Sequence, residues 1–362
     1  MSDASGPLKG LKILEMAGIG PGPFVGMMLA DHGADVTRIE RPGGNPSMGA
    51  FPPGKDILMR SRKAVAVDIR TPQGIEQIKE MAAQADALFE GFRPGVMEKR
   101  GLGPDVLLHV NPKLVYGRIT GWGQSGPLAQ TAGHDINYIA LTGALAAIGG
   151  PATGPIPPLN LVGDFGGGAM MLAFGMLAAL LHVKNGGDGQ VVDAAMVDGA
   201  SLLMSMMHSF HHLGLWQEER SSNLLDGGAP FYRTYETSDG HFMAVGAIEP
   251  QFYMALLQGL ELTGDPALFA QMDRSAWPHI TSTIAQRFLA KTRDEWTGTF
   301  SGTDACVTPV LTMEEAPSNP HMAARHAFLD VGAQTHPMPT PRYYPLATTG
   351  PTPGSRPIDE VE

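Results

Sequence analysis

Apolar positions in the first hundred or so residues come in short runs separated by amphipathic stretches. Leu11 to Met16, Val36 to Ile39, Ala64 to Ile69, Ala87 to Phe89 and Leu114 to Ile119 have the length and composition of buried strands. Phe24 to His32 carries helical spacing, and Gly33 suits the left-handed residue that closes such a helix. Thr71-Pro72 pairs an N-cap with a residue pre-set for the first helical position, leading through Ile75, Ile78 and Met81. A shorter helix is expected near Pro104 to Val110. Strands alternating with helices predict a parallel sheet wrapped on both faces, an α/β fold.

The pattern then changes. Residues 120–168 are loop-heavy, and helices are expected at Ala169 to Val183 and Ser201 to Leu215. The most apolar run, Ala169 to Leu181, is too short to cross a bilayer and reads as a buried helix. From 235 to 310 the expected elements are a strand at Phe242 to Val245 and helices at Pro250 to Leu260, Ile280 to Ala290 and Arg293 to Phe300. That segment reads as a second, smaller α+β domain. The Pro-rich tail, Pro337 to Pro357, is expected to be extended.

Composition narrows the class. Of 362 residues, 43% are hydrophobic and 17% charged, which excludes global disorder. A net charge of −11 argues against general nucleic-acid binding. Yet eleven basic residues against eight acidic ones lie between Arg38 and Arg100, so a discrete anion is expected there, with a solvated mixed surface as the alternative. One cysteine, Cys306, allows no internal disulfide, and the N-terminus shows no cationic-then-apolar pattern. A cytoplasmic protein that neither spans nor sits on a membrane is the expectation.

Several motifs weaken on inspection. Gly18 to Pro23 follows a strand and opens a helix, but Pro23 stands where a dinucleotide fingerprint needs its third glycine. His208, His211 and His212 share a helix face without the glutamate of the zinc-protease pattern, so polar partners on a half-buried helix are expected and no metal. Cys306, in an apolar stretch without a flanking base, reads as buried and inert. Three acid-bearing segments stand out: Gly133-His134-Asp135-Ile136-Asn137-Tyr138, Asn160 to Gly168 around Asp164, and Gly246 to Pro250 around Glu249. Each acid taken singly reads equally as an N-cap.

With these segments, Ala34 to Pro42, Glu90 to Val96 and Gly121 to Pro127, the chain resembles the family III CoA-transferase superfamily and, within it, the α-methylacyl-CoA racemases, from Leu8 to about Arg342. The resemblance implies a large CoA-binding domain with a doubly wound, Rossmann-like parallel sheet beginning in 1–197. A linker helix region (198–234), a small domain (235–312) and a return into the large domain (313–362) follow. It also implies a homodimer of interlocked chains, each active site lying between the large domain of one and the small domain of the other. His134 and Asp164 match the two acid/base residues, and Glu249 the acid that orients the histidine. Arg41, the stretch Val67, Asp68, Ile69 and Arg70, then Gly91, Phe92, Arg93 and Lys99 fall where the family holds the CoA nucleotide. Gly133, Ile136, Asn137 and Tyr138, beside the histidine, are implied as further CoA-binding residues. No separate cofactor is implied, since CoA is part of the substrate. Two departures are a Pro/Gly-rich stretch from Gly43 to Lys55 that is longer than in relatives, and Lys99 where an arginine is common.

The implied chemistry is inversion at C2 of a 2-methylacyl thioester. Removal of the proton on one face and return on the other needs two groups, and a histidine near neutral pH serves in either direction. The enolate oxygen needs a donor, for which the Asp135 N–H is placed where a helix opens. The alternative is a CoA transferase with Asp135 as covalent nucleophile. Against it, the sequence has Asp226-Gly227-Gly228-Ala229 where transferases carry a tetraglycine loop. A non-catalytic thioester binder is a third reading. Methionines 170, 171, 204, 206 and 207 suit either an adaptable acyl surface or core filling.

Overall fold

Six strands pair in parallel: β1 (Lys12–Met16), β2 (Asp35–Glu40), β3 (Lys63–Ala66), β4 (Ala87–Glu90), β5 (Val115–Thr120) and β6 (Val191–Ala195). Their order, β3-β2-β1-β4-β5-β6, reverses between β1 and β4 as in a doubly wound sheet. The structure is a computed structural model described over residues 6–43 and 55–344; most of the Gly43 to Lys55 stretch and the end of the Pro-rich tail lie outside the described residues.

Successive side chains on each strand go to opposite faces, and on the central strands β1, β4 and β5 both faces are buried. Ile13, Phe89 and Val115 pack beneath α1 (Pro21–Asp31) and the later α6 (Met171–Lys184). Leu14, Leu88 and Tyr116 pack on the other face with Ile78 of α2 (Pro72–Ala82), Met97 of α3 (Val96–Lys99) and Leu107 of α4 (Pro104–Val110). The Thr71 hydroxyl accepts the Gly74 N–H at 3.0 Å, so α2 starts as its sequence requires. The β3 strand is shorter than expected because a turn closes behind it, Asp68 O accepting from Thr71 N at 3.0 Å.

The described chain divides into two compact units. One runs up to Ala144, then Pro158–Met204, and from Asn319 on; the other holds Leu145–Pro157 and Ser205–Ser318. The stretch 145–157 groups with the second unit, where the Ser221 hydroxyl meets Gly149 O at 3.3 Å. The C-terminal segment is tied into the first unit by Arg60, which donates to Pro337 O at 2.7 Å. In the second unit, β7 (Tyr232–Glu236), β8 (Phe242–Gly246) and β9 (Val307–Pro309) form an antiparallel sheet. Their core side chains pack with α9 (Pro250–Gly259), α10 (Trp277–Phe288) and α11 (Arg293–Phe300).

Several expectations are corrected. The apolar helix begins earlier: a π-helical segment, Leu161–Met170, runs directly into α6. Together they are long and apolar enough to cross a membrane, but the helix packs one side on the sheet and exposes the other, Phe174 at 75% and Leu181 at 59%. The single helix expected from Ser201 to Leu215 is two, α7 (Met196–Leu203) and α8 (Ser205–His212), parted by a tight turn at Met204. His208, His211 and His212 are all exposed, so α8 is not half-buried there. Cys306 is exposed at φ +52°, because the apolar stretch is a short edge strand preceded by a turn, and Ala305 takes the buried place.

A buried ion cluster stiffens the first unit. Glu15, inaccessible on β1, accepts from Arg38 with Oε1 and from Arg62 with Oε2. Replacing Glu15 by Ala leaves the buried Arg62 without an acidic partner and Arg38 with only the more exposed Glu40. Urea unfolding is expected to show a loss of about 3–5 kcal/mol, whereas Lys63→Ala, which breaks an exposed pair with Asp35 at 2.9 Å, costs below about 1 kcal/mol.

Candidate active site

The carboxyl ends of β1 and β4 lie at the switch point of the sheet, where open α/β folds place their ligands. A cleft of about 620 Å³ opens there, lined by the Met16 to Gly22 turn, Gly91 to Pro94, Ile119 to Trp122, Gly133, His134, Tyr138 and Asp164. His134 is the exposed N-cap of α5 (Asp135–Ala140), and its own N–H is held by Asn137 Oδ1 at 3.0 Å. Asp164 lies in the first turn of the π-helical segment, its Oδ2 accepting from Asn160 Nδ2 at 3.2 Å. Burial raises its proton affinity above the ordinary carboxylate range; the Asn160 hydrogen bond opposes this, the Asp135 charge adds to it and His134 counters it. Tyr138 packs edge-on against Trp122 with ring centroids 4.9 Å apart, and its hydroxyl donates to Gly133 O. Burial, with Asp164 and Asp135 adding, pushes its phenol upward.

A second cavity of about 360 Å³ shares Met16, Ala17 and Phe92 with the first and continues along the sheet edge. Its wall holds Arg41, Val67, Asp68, Ile69, Arg70 and Arg100. The basic zone is narrower than its sequence suggested. Arg38, Arg60 and Arg62 are spent on buried ion pairs with Glu15 and Asp31, and Arg70 is paired with Asp68 at 2.7 Å. Of the basic residues that line the two cavities, Arg41, Arg93 and Arg100 make no side-chain ion pair or hydrogen bond among the described residues, so these are left to meet an anion.

Of the residues singled out in the sequence, Gly133, His134, Tyr138, Asp164, Gly91, Phe92 and Arg93 converge on the first cleft. Arg41 and 67–70 line the second. Asp135, Ile136, Asn137 and Lys99 line neither, while Arg100, beside Lys99, lines the second. Glu249 lies in the second unit as the N-cap of α9. The sequence reading assigned no part to Trp122 or to Asn160 as a partner of Asp164, although both stand in segments it had marked. Among the described residues no group of three or more His, Cys, Asp or Glu side chains is arranged to hold a metal.

The family model for CoA-transferase family III matches residues 8–357, and the chain belongs to that family. It is 48% identical over 344 residues to the alpha-methylacyl-CoA racemase of Mus musculus, covering 95% of this chain and 87% of that one. To the alpha-methylacyl-CoA racemase of Homo sapiens it is 46% identical over 335 residues, covering 92% and 86%. Among solved structures, Rv3272 from M. tuberculosis superposes with a TM-score of 0.79 at 28% identity, covering 97% of this chain and 98% of that one.

Glu90, at the end of β4, holds the Gly91–Arg93 turn by accepting the Phe92 N–H at 2.7 Å. Burial pushes its carboxyl up to about 7, against the Phe92 hydrogen bond and the nearby Arg118. A group that binds its proton more tightly when folded stabilises fully below the unfolded value near 4.5 and loses that contribution as pH rises through about 7. Between about pH 4.5 and 7.5 this group accordingly gives up roughly 3 kcal/mol. Urea titrations at both pH values should show that fall in the wild type and a flatter dependence in Glu90→Gln; matching slopes would refute it.

Proposed function

We propose that the protein is a cofactor-independent isomerase that racemises 2-methylacyl-CoA thioesters by 1,1-proton transfer at C2. The observation that carries this reading is the presence of two groups, His134 and Asp164, on one cleft at the switch point, with the carboxyl tuned by burial toward holding a proton. An imidazole and a carboxyl whose proton affinity burial has raised can each remove or return a hydrogen, which inversion requires and a single base cannot supply. The names of the relatives from mouse and human support the same chemistry.

The thioester carbonyl oxygen gains charge as the proton leaves. The Asp135 N–H, in the first turn of α5 and without an intrahelical acceptor, is the proposed donor to it. Arg41, Arg93 and Arg100, without a side-chain partner among the described residues, are the proposed contacts for the CoA phosphates, with Phe92 between the two cavities. The reaction moves only a proton, so no redox cofactor or metal enters its balance. A homodimer of interlocked chains, with Glu249 orienting the imidazole across chains, completes the proposal. It is supported by the apolar side chains of Phe174, Leu181 and Leu202, which remain 75%, 59% and 61% exposed in one chain. The competing transferase reading needs a free Asp135 carboxylate to attack an acyl carbonyl, whereas its Oδ2 accepts the Asp164 N–H at 2.7 Å.

Incubating one enantiomer of a 2-methylacyl-CoA in deuterium oxide and following C2 by NMR tests the reading. Exchange with loss of optical activity is expected. His134→Ala and Asp164→Ala should each slow exchange by about 10²–10⁴-fold, and Glu249→Gln less. Acyl transfer to a free acid without exchange would replace the racemase by a transferase, and neither event would leave a binder.

In the same assay Arg41→Ala and Arg100→Ala should raise KM about tenfold, the loss of one charge-assisted contact each, with kcat little changed. A light-scattering mass of one chain would rule out the dimer.

A further inference from the structure

Asp135 is 6% exposed and does not line the cleft, although it follows the residue that carries the imidazole. Its Oδ2 accepts the Asp164 N–H at 2.7 Å, while Oδ1 is buried with no partner among the described residues. The backbone explains why that acceptor is needed. In the π-helical segment the first internal bond runs from Phe165 N to Asn160 O at 3.3 Å. Asp164, one residue earlier, lies in the first turn and has no acceptor within the segment. A Cβ on Gly163 would stand 2.6 Å from Asp135 Oδ2, so the carboxyl reaches that N–H only because glycine precedes Asp164.

We propose that Asp135 is a positioning residue, whose carboxyl ties the first turn of the π-helical segment to the first turn of α5 and so fixes Asp164 relative to His134. This rests on the racemase reading. One hydrogen bond then sets the relation between two groups thirty positions apart in the chain, and the aspartate that transferase chemistry would use as nucleophile is here occupied by the backbone. Its charge also lies among the causes that raise the Asp164 proton affinity.

The asparagine variant separates these roles, because its amide oxygen can still accept the Asp164 N–H while the charge is gone. With the deuterium-exchange assay on the full chain, Asp135→Ala is expected to lower kcat about 100-fold with KM nearly constant, the size of effect that an ångström of misplacement produces. Asp135→Asn should stay within about fivefold of the wild type, since it keeps that hydrogen bond. In both, the acid limb of the kcat/KM profile should move to lower pH, because removing a neighbouring negative charge lets Asp164 release its proton more readily. Gly163→Ala, which crowds the same oxygen, should reproduce the alanine phenotype. Thermal unfolding of each variant fixes the folded fraction. If Asp135→Asn is as inactive as Asp135→Ala, or if Asp135→Ala keeps its kcat, the positioning role is overturned. It is also overturned if activity falls only with the folded fraction and the acid limb stays in place. A wild type that exchanges no deuterium would bring down the racemase reading itself.

Discussion

The close passage of one backbone against its neighbours governs the site. The π-helical segment runs so near α5 and α7 that side chains are excluded from its inner edge. A Cβ on Gly167 would stand 2.6 Å from Ala200 N in α7, as one on Gly163 would from Asp135. Bulk at either place would lift Asp164 off the cleft wall. The glycine run is thus a packing requirement first, and its chemical consequence is that a carboxyl on a buried segment still reaches the substrate side. Phe24 of α1 stacks on Phe165 with centroids 4.5 Å apart and closes the opposite flank. The segment is gripped from both sides, and the carboxyl it carries has one place to be.

Charge is sorted just as firmly. A chain with net charge −11 must still attract a polyanion. It neutralises most of its local arginines internally, Arg38 and Arg62 on Glu15 and Arg60 on Asp31, and leaves a few at one edge of the sheet. Those internal pairs also shape the cleft: Arg38 donates to Gly18 O at 3.1 Å and so steadies the turn that forms part of its wall. The same residue class does structural work in one layer and faces solvent in the next, and burial decides which.

Much of this was legible beforehand. The strand runs and the Thr71-Pro72 start depend on local rules of periodicity and capping, and they appear where those rules place them. His134 and Asp164 were legible through family motifs, not through spacing, since thirty residues separate them and nothing local says that they share a cleft. The fate of the basic zone was not legible, because pairing is a property of three-dimensional neighbours: Glu15 and Arg62 are 47 residues apart. The exposure of Cys306 and the outer face of α6 escaped for the same reason, hydrophobic composition being unable to say which side of an element finds a partner. The π-helical opening left no periodic trace, its glycines reading simply as a loop.

The proline pair at the start of α1 has one more consequence. In nucleotide-binding relatives of this sheet topology, the amides of the first helical turn cradle a pyrophosphate. Here Pro21 and Pro23 contribute no amide hydrogen, and Gly22 stands alone between them. The spot where such folds usually grip a dinucleotide is therefore poor in donors. A phosphate gains little by sitting there.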